Sequence, residues 1–230
     1  TDNLIENSDT TTGVGIAIRD LQIDGQQAVQ SGTITQYGIY LFHMGSQSTG
    51  RMGARISNVY IKDVRDTGIY LSASENNLVT SSTFYSIDAG GTAPVAVYND
   101  SSANNSFTNN TFLADYWGLR LDGSSTRNTT VTGNIFRGIT NKALFQFGAV
   151  QSSITGNTFD SNTDALILYT GGDSTVSSNT FYANTGYGIT VDDSSSNTVS
   201  SNRIQNSGGS TDNNAIYIQN NSDSNTITGN

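Results

Sequence analysis

The sequence contains no cysteine, one proline, one histidine, two methionines and one tryptophan. Without cysteine there is neither a disulfide framework nor a thiolate metal site, and nothing calls for a metal or any other cofactor. Charge is also sparse: 13% of the 230 residues are ionic, and ten basic side chains stand against nineteen acidic ones, a net charge of −9. That balance repels nucleic-acid phosphates and anionic membranes, so neither is expected as a partner. No apolar run approaches 18 residues and no basic segment leads into an apolar one at the start, which excludes a spanning helix and a signal peptide within these residues. Nor does any stretch read as a helix.

Asn, Ser, Thr and Gly fill much of the chain, and the apolar residues among them recur at a fixed period. NLVTSSTF from Asn77, NSFTNNTF from Asn105, TTVTGNIF from Thr129, SSITGNTF from Ser152, STVSSNTF from Ser174 and NTVSSNRI from Asn197 align, with a last copy, NTITGN, from Asn225. Looser copies surround Ile18 and Ile56. The first apolar residues, Ile18, Ile56, Val79, Phe107, Val131, Ile154, Val176, Val199 and Ile227, are spaced by 38, 23, 28, 24, 23, 22, 23 and 28 residues. A second alternation follows in each unit, as in Gly68-Ile69-Tyr70-Leu71, Gly118-Leu119-Arg120-Leu121 and Ala165-Leu166-Ile167-Leu168. Period-two apolar residues bounded by Gly, Asn, Asp and Ser are strands.

A unit of about 23 residues with so few apolar side chains buries them only by stacking on its copies. The chain is therefore expected to be all-β, a single solenoid domain over residues 1–230 with eight to nine coils. Stacking aligns equivalent residues in columns. Ile23, Ile61, Phe84, Phe112, Phe136, Phe159, Phe181 and Ile204 form an apolar interior stack. Ser82, Asn110, Asn134, Asn157, Asn179, Asn202 and Asn230 form a ladder of amides that satisfy one another along the axis, at a position where Asn also tolerates left-handed backbone.

This pattern resembles the right-handed parallel β-helix proteins of the pectin-lyase-like superfamily, from about Ile16 to Asn230. The resemblance implies handedness, an extracellular, cell-surface or virion location, and a polysaccharide partner. Activity is left open, because the superfamily includes lyases, hydrolases, epimerases, tailspikes and non-catalytic solenoids. The Gly-His-Gly and Arg-Ile-Lys of the polygalacturonase-like group are absent. So is the Asp-Pro-His segment of the alginate-epimerase type, and no cluster matches the calcium-binding Asp residues of pectate lyases. No cap is visible at either end, so a longer β-helix, a homo-oligomer or a neighbouring chain is expected to cover them.

Functional residues are sought on loops and outward columns. Enlarged loops are read at about Asp24 to Tyr37, Phe42 to Arg55, Tyr85 to Pro94 and Gln205 to Asn214. Around the second of these, His43, Arg51, Arg55, Lys62 and Arg65 gather much of the basic charge, which suits an acidic polysaccharide with His43 as a base. The bland alternative is local pairing of Lys62 with Asp63 and of Arg65 with Asp66. A second candidate is the column Trp117, Lys142, Asp164 and Tyr187. A third is the outward group Tyr98, Arg120 and Asp122 with Asp100, whose two carboxyls stand at a spacing compatible with glycoside hydrolysis. Asp192 and Asp193 are read as turn residues.

The expected function is a polysaccharide-binding β-helix, and if it is an enzyme, a lyase or glycoside hydrolase of acidic glycans. A structural stalk, adhesin or tailspike shaft is the alternative. An outward hydroxyl column, Thr80, Thr108, Thr132, Thr155, Ser177, Ser200 and Thr228, adds ice binding as a minor one.

Overall fold

In the computed structural model, residues 3–7, 15–26, 36–46, 50–87, 94–208 and 214–230 are described. The described residues are strands and turns with no helix, wound as a right-handed parallel β-helix. From Arg55 onward, paired residues on successive rungs are Leu78, Ser106, Thr130, Ser153, Thr175, Thr198 and Thr226. The expected eight to nine coils thus resolve into seven regular turns of about 24 residues, preceded by one wide turn in which Ala17 pairs with Arg55.

A regular turn contributes three strands, such as Thr130–Thr132, Ile135–Arg137 and Lys142–Phe147. The longer strands stack into a nine-stranded parallel sheet. The two short strands form two ladders, joined where the single strand Arg55–Lys62 pairs first with Leu78–Thr80 and then with Thr83–Tyr85. Asn58, left-handed at φ 52°, bends that strand at the junction.

Alternation within each strand sends one set of side chains inward. Phe84, Phe112, Phe136, Phe159 and Phe181 are fully buried and lie on partnered positions of successive rungs. Their rings stack with centroids 5.0, 4.5, 4.9 and 4.7 Å apart. Small residues in the longer strands make room for them. A Cβ on Gly118 would sit 2.9 Å from the Phe136 ring and 2.4 Å from the Ala143 carbonyl, which explains the glycine there.

The Asn ladder is present, with one correction. Asn157 Oδ1 accepts from both the backbone N–H and the Nδ2 of Asn134, at 2.9 and 3.0 Å. Its own Nδ2 donates to Val131 O and to Asn179 Oδ1. The ladder residue is not the left-handed one, however. Positive φ falls on the residue before it: Ser81, Asn109, Gly133, Gly156, Ser178, Ser201 and Gly229. The left-handed residue turns the corner, and the turned corner aims the following amide inward. Two further corners use the same device. Asn77 and Asn105 form a rung of one, and Asn162 and Asn184 a rung of the other.

Candidate functional site

The outward side chains of the long-strand sheet also align by register. One column runs Tyr40, Tyr70, Tyr98, Arg120, Phe145, Ile167, Thr190 and Tyr217. On one side of it lie Trp117, Lys142 and Asp164. On the other lie Ser72, Asp100 and Asp122, and farther along Tyr169, Asp192 and Gln219.

The sequence-expected residues Tyr98, Trp117, Arg120, Asp122 and Lys142 come together here with Asp100. Tyr70 donates its phenol to Asp100 at 2.8 Å and Tyr98 to Asp122 at 2.7 Å. Arg120 pairs with the same Asp122 oxygen, and its guanidinium lies over Tyr98 and Trp117, 4.8 and 5.0 Å from the ring centroids. The Lys142 ammonium lies 5.1 Å from the Trp117 centroid and donates to Asn141 at 2.9 Å. Burial, and then the carboxylate each one faces, push Tyr70 and Tyr98 well above the ordinary phenol range. Both phenols therefore remain hydrogen-bond donors through neutral and mildly alkaline pH. Asp100 and Asp122 are cross-rung partners, which places their backbones about 4.8 Å apart.

The basic cluster of the early coils does not form one patch. His43, exposed and left-handed at φ 54°, stacks on Phe42. Arg51 bridges to Ser46, and Arg55 donates to Asn76 O at 2.8 Å. Arg55 and Lys62 open and close the same eight-residue strand, so Lys62 and Arg65 belong to the opposite corner of the turn. Lys62 pairs with Asp24 at 2.7 Å and Asp63 at 3.1 Å. The hydrogen bond to Asp24 leads in pushing Lys62 above the usual amine range, and its counterpart holds Asp24 below the usual carboxylate range. His43 follows Phe42, which lies in the same column as Asp100 and Asp122, two and three rungs away, or about 10 and 14 Å along the axis. Of the expected loops, residues 27–35, 47–49, 88–93 and 209–213 lie outside the described residues.

Three members of the second expected column, Lys142, Asp164 and Tyr187, line a groove of about 320 Å³ farther along the same face, whose other walls, Phe145, Ile167, Tyr169, Thr190, Asp192, Tyr217 and Gln219, sequence reasoning did not bring to it. Its origin is local. Tyr70 and Tyr98 stack face to face at 4.8 Å and 7° and Phe145 follows beyond Arg120, but Ile167 and Thr190 put small or aliphatic side chains on the next two rungs. Asp192 accepts from Gln219 at 2.8 Å and also from Asn220. Burial raises Asp164 above the ordinary carboxylate range, with Lys142 opposing. The signal was available in the outward positions of every second strand, had they been aligned through Tyr217.

On the short-strand faces two pairs of the hydroxyl column bond across rungs. Thr108 donates to Thr80 at 3.0 Å, and Thr132 and Thr155 hydroxyls are 3.0 Å apart.

With this geometry in view, a family model described as "Periplasmic copper-binding protein (NosD)" matches residues 19–230. The chain belongs to the NosD family. Comparison with curated proteins finds no match. Among solved structures, this NosD-family chain is similar to ORF18 of Geobacillus virus E2, with a TM-score of 0.65 and 14% identity over 100% of this chain and 46% of that one. It is also similar to full-length tailspike protein 2 of an Escherichia coli O157:H7 bacteriophage, with a TM-score of 0.57 and 18% identity over 94% and 34% of the two chains. DFA-IIIase from Arthrobacter chlorophenolicus A6, crystallised without its lid and in complex with GF2, gives a TM-score of 0.53 and 12% identity over 93% and 70%. The chain thus spans less than half of either viral protein. At these identities the likeness is one of fold.

Proposed function

We propose that this protein binds polysaccharide along the outward face of its long-strand sheet. The observation that carries the reading is the run of outward aromatic and hydrogen-bonding side chains from Tyr40 to Tyr217, one per rung except at Ile167, beside a second column holding Asp100, Asp122 and Asp192. Aromatic surface with a few fixed polar groups is the composition of ligand sites. A polymer lying along the helix axis would meet one member of this column at each rung. Phe147, 37% exposed and stacked on Tyr169 at 5.4 Å, would extend the contact. If a hydrolytic step occurs, Asp100 and Asp122 are the residues to test, since neighbouring rungs bring two carboxyls near the about 5 to 5.5 Å that a retaining mechanism requires. A site of action outside the cytoplasm, at a cell surface or on a virion, accords with this reading. Among the described residues no helix is long and apolar enough to cross a membrane.

The family's description names copper, and this chain's residues do not fit that metal. Soft or imidazole ligands are what copper selects. The chain has one His, two Met and no Cys. Met44 is buried in the core, and among the described residues no three of His, Cys, Asp and Glu gather where they could hold an ion.

Affinity electrophoresis through gels cast with neutral and acidic polysaccharides tests the proposal. Retardation by at least one glycan, weakened in Phe147→Ala and Arg120→Ala, is the expected result. Migration unchanged by every glycan would leave the structural-shaft reading, which the three hydrogen-bonded ladders favour.

A further inference from the structure

Between Phe145 and Tyr217 the aromatic column is interrupted for two rungs. Three rung intervals separate the two rings, about 14 Å along the axis. On those two rungs Tyr169 and Tyr187 flank an open slot over Ile167 and Thr190. The slot is braced at one end by Phe145 against Tyr169, 6.4 Å apart, and at the other by Tyr187 against Tyr217, 4.6 Å apart and 14° from parallel. Its volume of about 320 Å³ falls at the lower end of small-ligand sites.

The polar groups of the slot are one-sided in charge. Asp164 and Asp192 line it on opposite sides, five residues apart in register, so about 16 Å along the strand direction. That distance exceeds the separation of a catalytic carboxyl pair but suits hydrogen bonding to the hydroxyls of a sugar laid between them. Asp192 is held in place by the Gln219 and Asn220 amides. The one cation of the slot, Lys142, is bound to Asn141 and lies over Trp117 and Phe145. From Ala143 to the last residue there are seven Asp and a single basic residue, Arg203. A uronate carboxylate entering this end meets like charge in a partly desolvated setting, the same setting that raises Asp164.

Building on the reading of this face as a glycan surface, we propose that the slot between Phe145 and Tyr217 is a subsite for uncharged pyranose residues, packed against its aromatic walls and hydrogen-bonded through their hydroxyls to Asp164 and Asp192, and that it rejects uronates. The acidic glycan expected from the early basic residues is therefore not the ligand of this subsite.

Calorimetric titration of the whole chain with neutral hexose oligomers (gluco-, manno- and galacto-series) and with oligogalacturonate and oligoguluronate tests it. At least one neutral series binds tenfold or more tighter than either uronate. Tyr217→Ala and the slot-filling Thr190→Trp each weaken that binding tenfold or more, with thermal unfolding checked for both; should Thr190→Trp fail to fold, Tyr217→Ala and Asp192→Ala carry the test. Replacing both carboxylates, Asp164→Asn with Asp192→Asn, narrows the gap between neutral and uronate ligands. Neutral binding that is indifferent to Tyr217→Ala and Asp192→Ala would overturn the subsite while leaving the wider face intact. Tighter binding of uronates would overturn the ligand class. Binding of no glycan by the unaltered chain would remove both this subsite and the reading it rests on.

Discussion

The Tyr98 phenol donates across one rung to Asp122 at 2.7 Å, on the same carboxylate oxygen that Arg120 engages. This contact ties the central outward column to the neighbouring one and fixes the direction of both side chains. Tyr98→Phe removes only the donor. Hydrogen bonds to charged groups contribute about 1.5 to 3 kcal/mol, and Asp122, whose side chain is 13% exposed, keeps Arg120. A loss near the lower end, about 1 to 2 kcal/mol, is expected in urea unfolding.

The phenylalanine stack carries a larger share. Phe136 lies between Phe112 and Phe159, at 4.5 and 4.9 Å and within 4° of parallel to each. Phe136→Ala is expected to cost about 3 to 5 kcal/mol, the usual range for a buried ring truncated to a methyl. Phe136→Leu should recover much of that loss by refilling the volume. Equal midpoints of chemical unfolding for the Ala variant and the parent would contradict the central position of the stack.

Asn157 distinguishes hydrogen bonding from packing. Alanine there strands the backbone N–H of Asn134 and uncovers Val131 O, each orphaned group costing about 1 to 3 kcal/mol if water does not reach it, while the Asn134 Nδ2 keeps Phe107 O and Thr132 O. Asp is isosteric, yet it lacks the amide donor and brings a charge into a site only 1% exposed. Asn157→Asp should therefore destabilise more than Asn157→Ala at pH 7, and the order should be readable from thermal melts.

Asp164 makes stability depend on pH. Burial raises its folded value above the ordinary 3.8, so the folded chain holds this proton more tightly than the unfolded one. The ionised form costs stability at pH above the folded value, and that cost disappears as pH falls through it and below the unfolded value. Asp164→Asn should accordingly melt higher than the parent at pH 7, with the difference shrinking in the acid range. A difference that grows on acidification would contradict the assignment.

The repeat was legible in the sequence because each turn solves the same problem with the same atoms. Asn110, Asn134, Asn157, Asn179 and Asn202 each need the next amide as a partner, so substitution anywhere along the ladder strands a neighbour. The Phe column was legible for a similar reason, being a stack of flat rings at rung spacing. The left-handed corner was misplaced by one residue, from Asn157 to Gly156, because Ser, Ala, Thr, Gly, Asn, Gln and Asp all occupy such corners here and type alone does not mark them. Proximity along the chain misled for the basic residues. Arg55 and Lys62 are close in sequence, yet an extended strand carries them to opposite corners.

By itself the sequence determined the solenoid, its inward columns and its all-β character, since strand alternation and a constant period leave each apolar residue one way to be buried. Tertiary structure decided where a ligand fits. The slot at Ile167 and Thr190 belongs to neither residue alone; it exists because larger rings stand on the flanking rungs, and only the stacked register brings Phe145, Thr190 and Tyr217, far apart along the chain, onto one line.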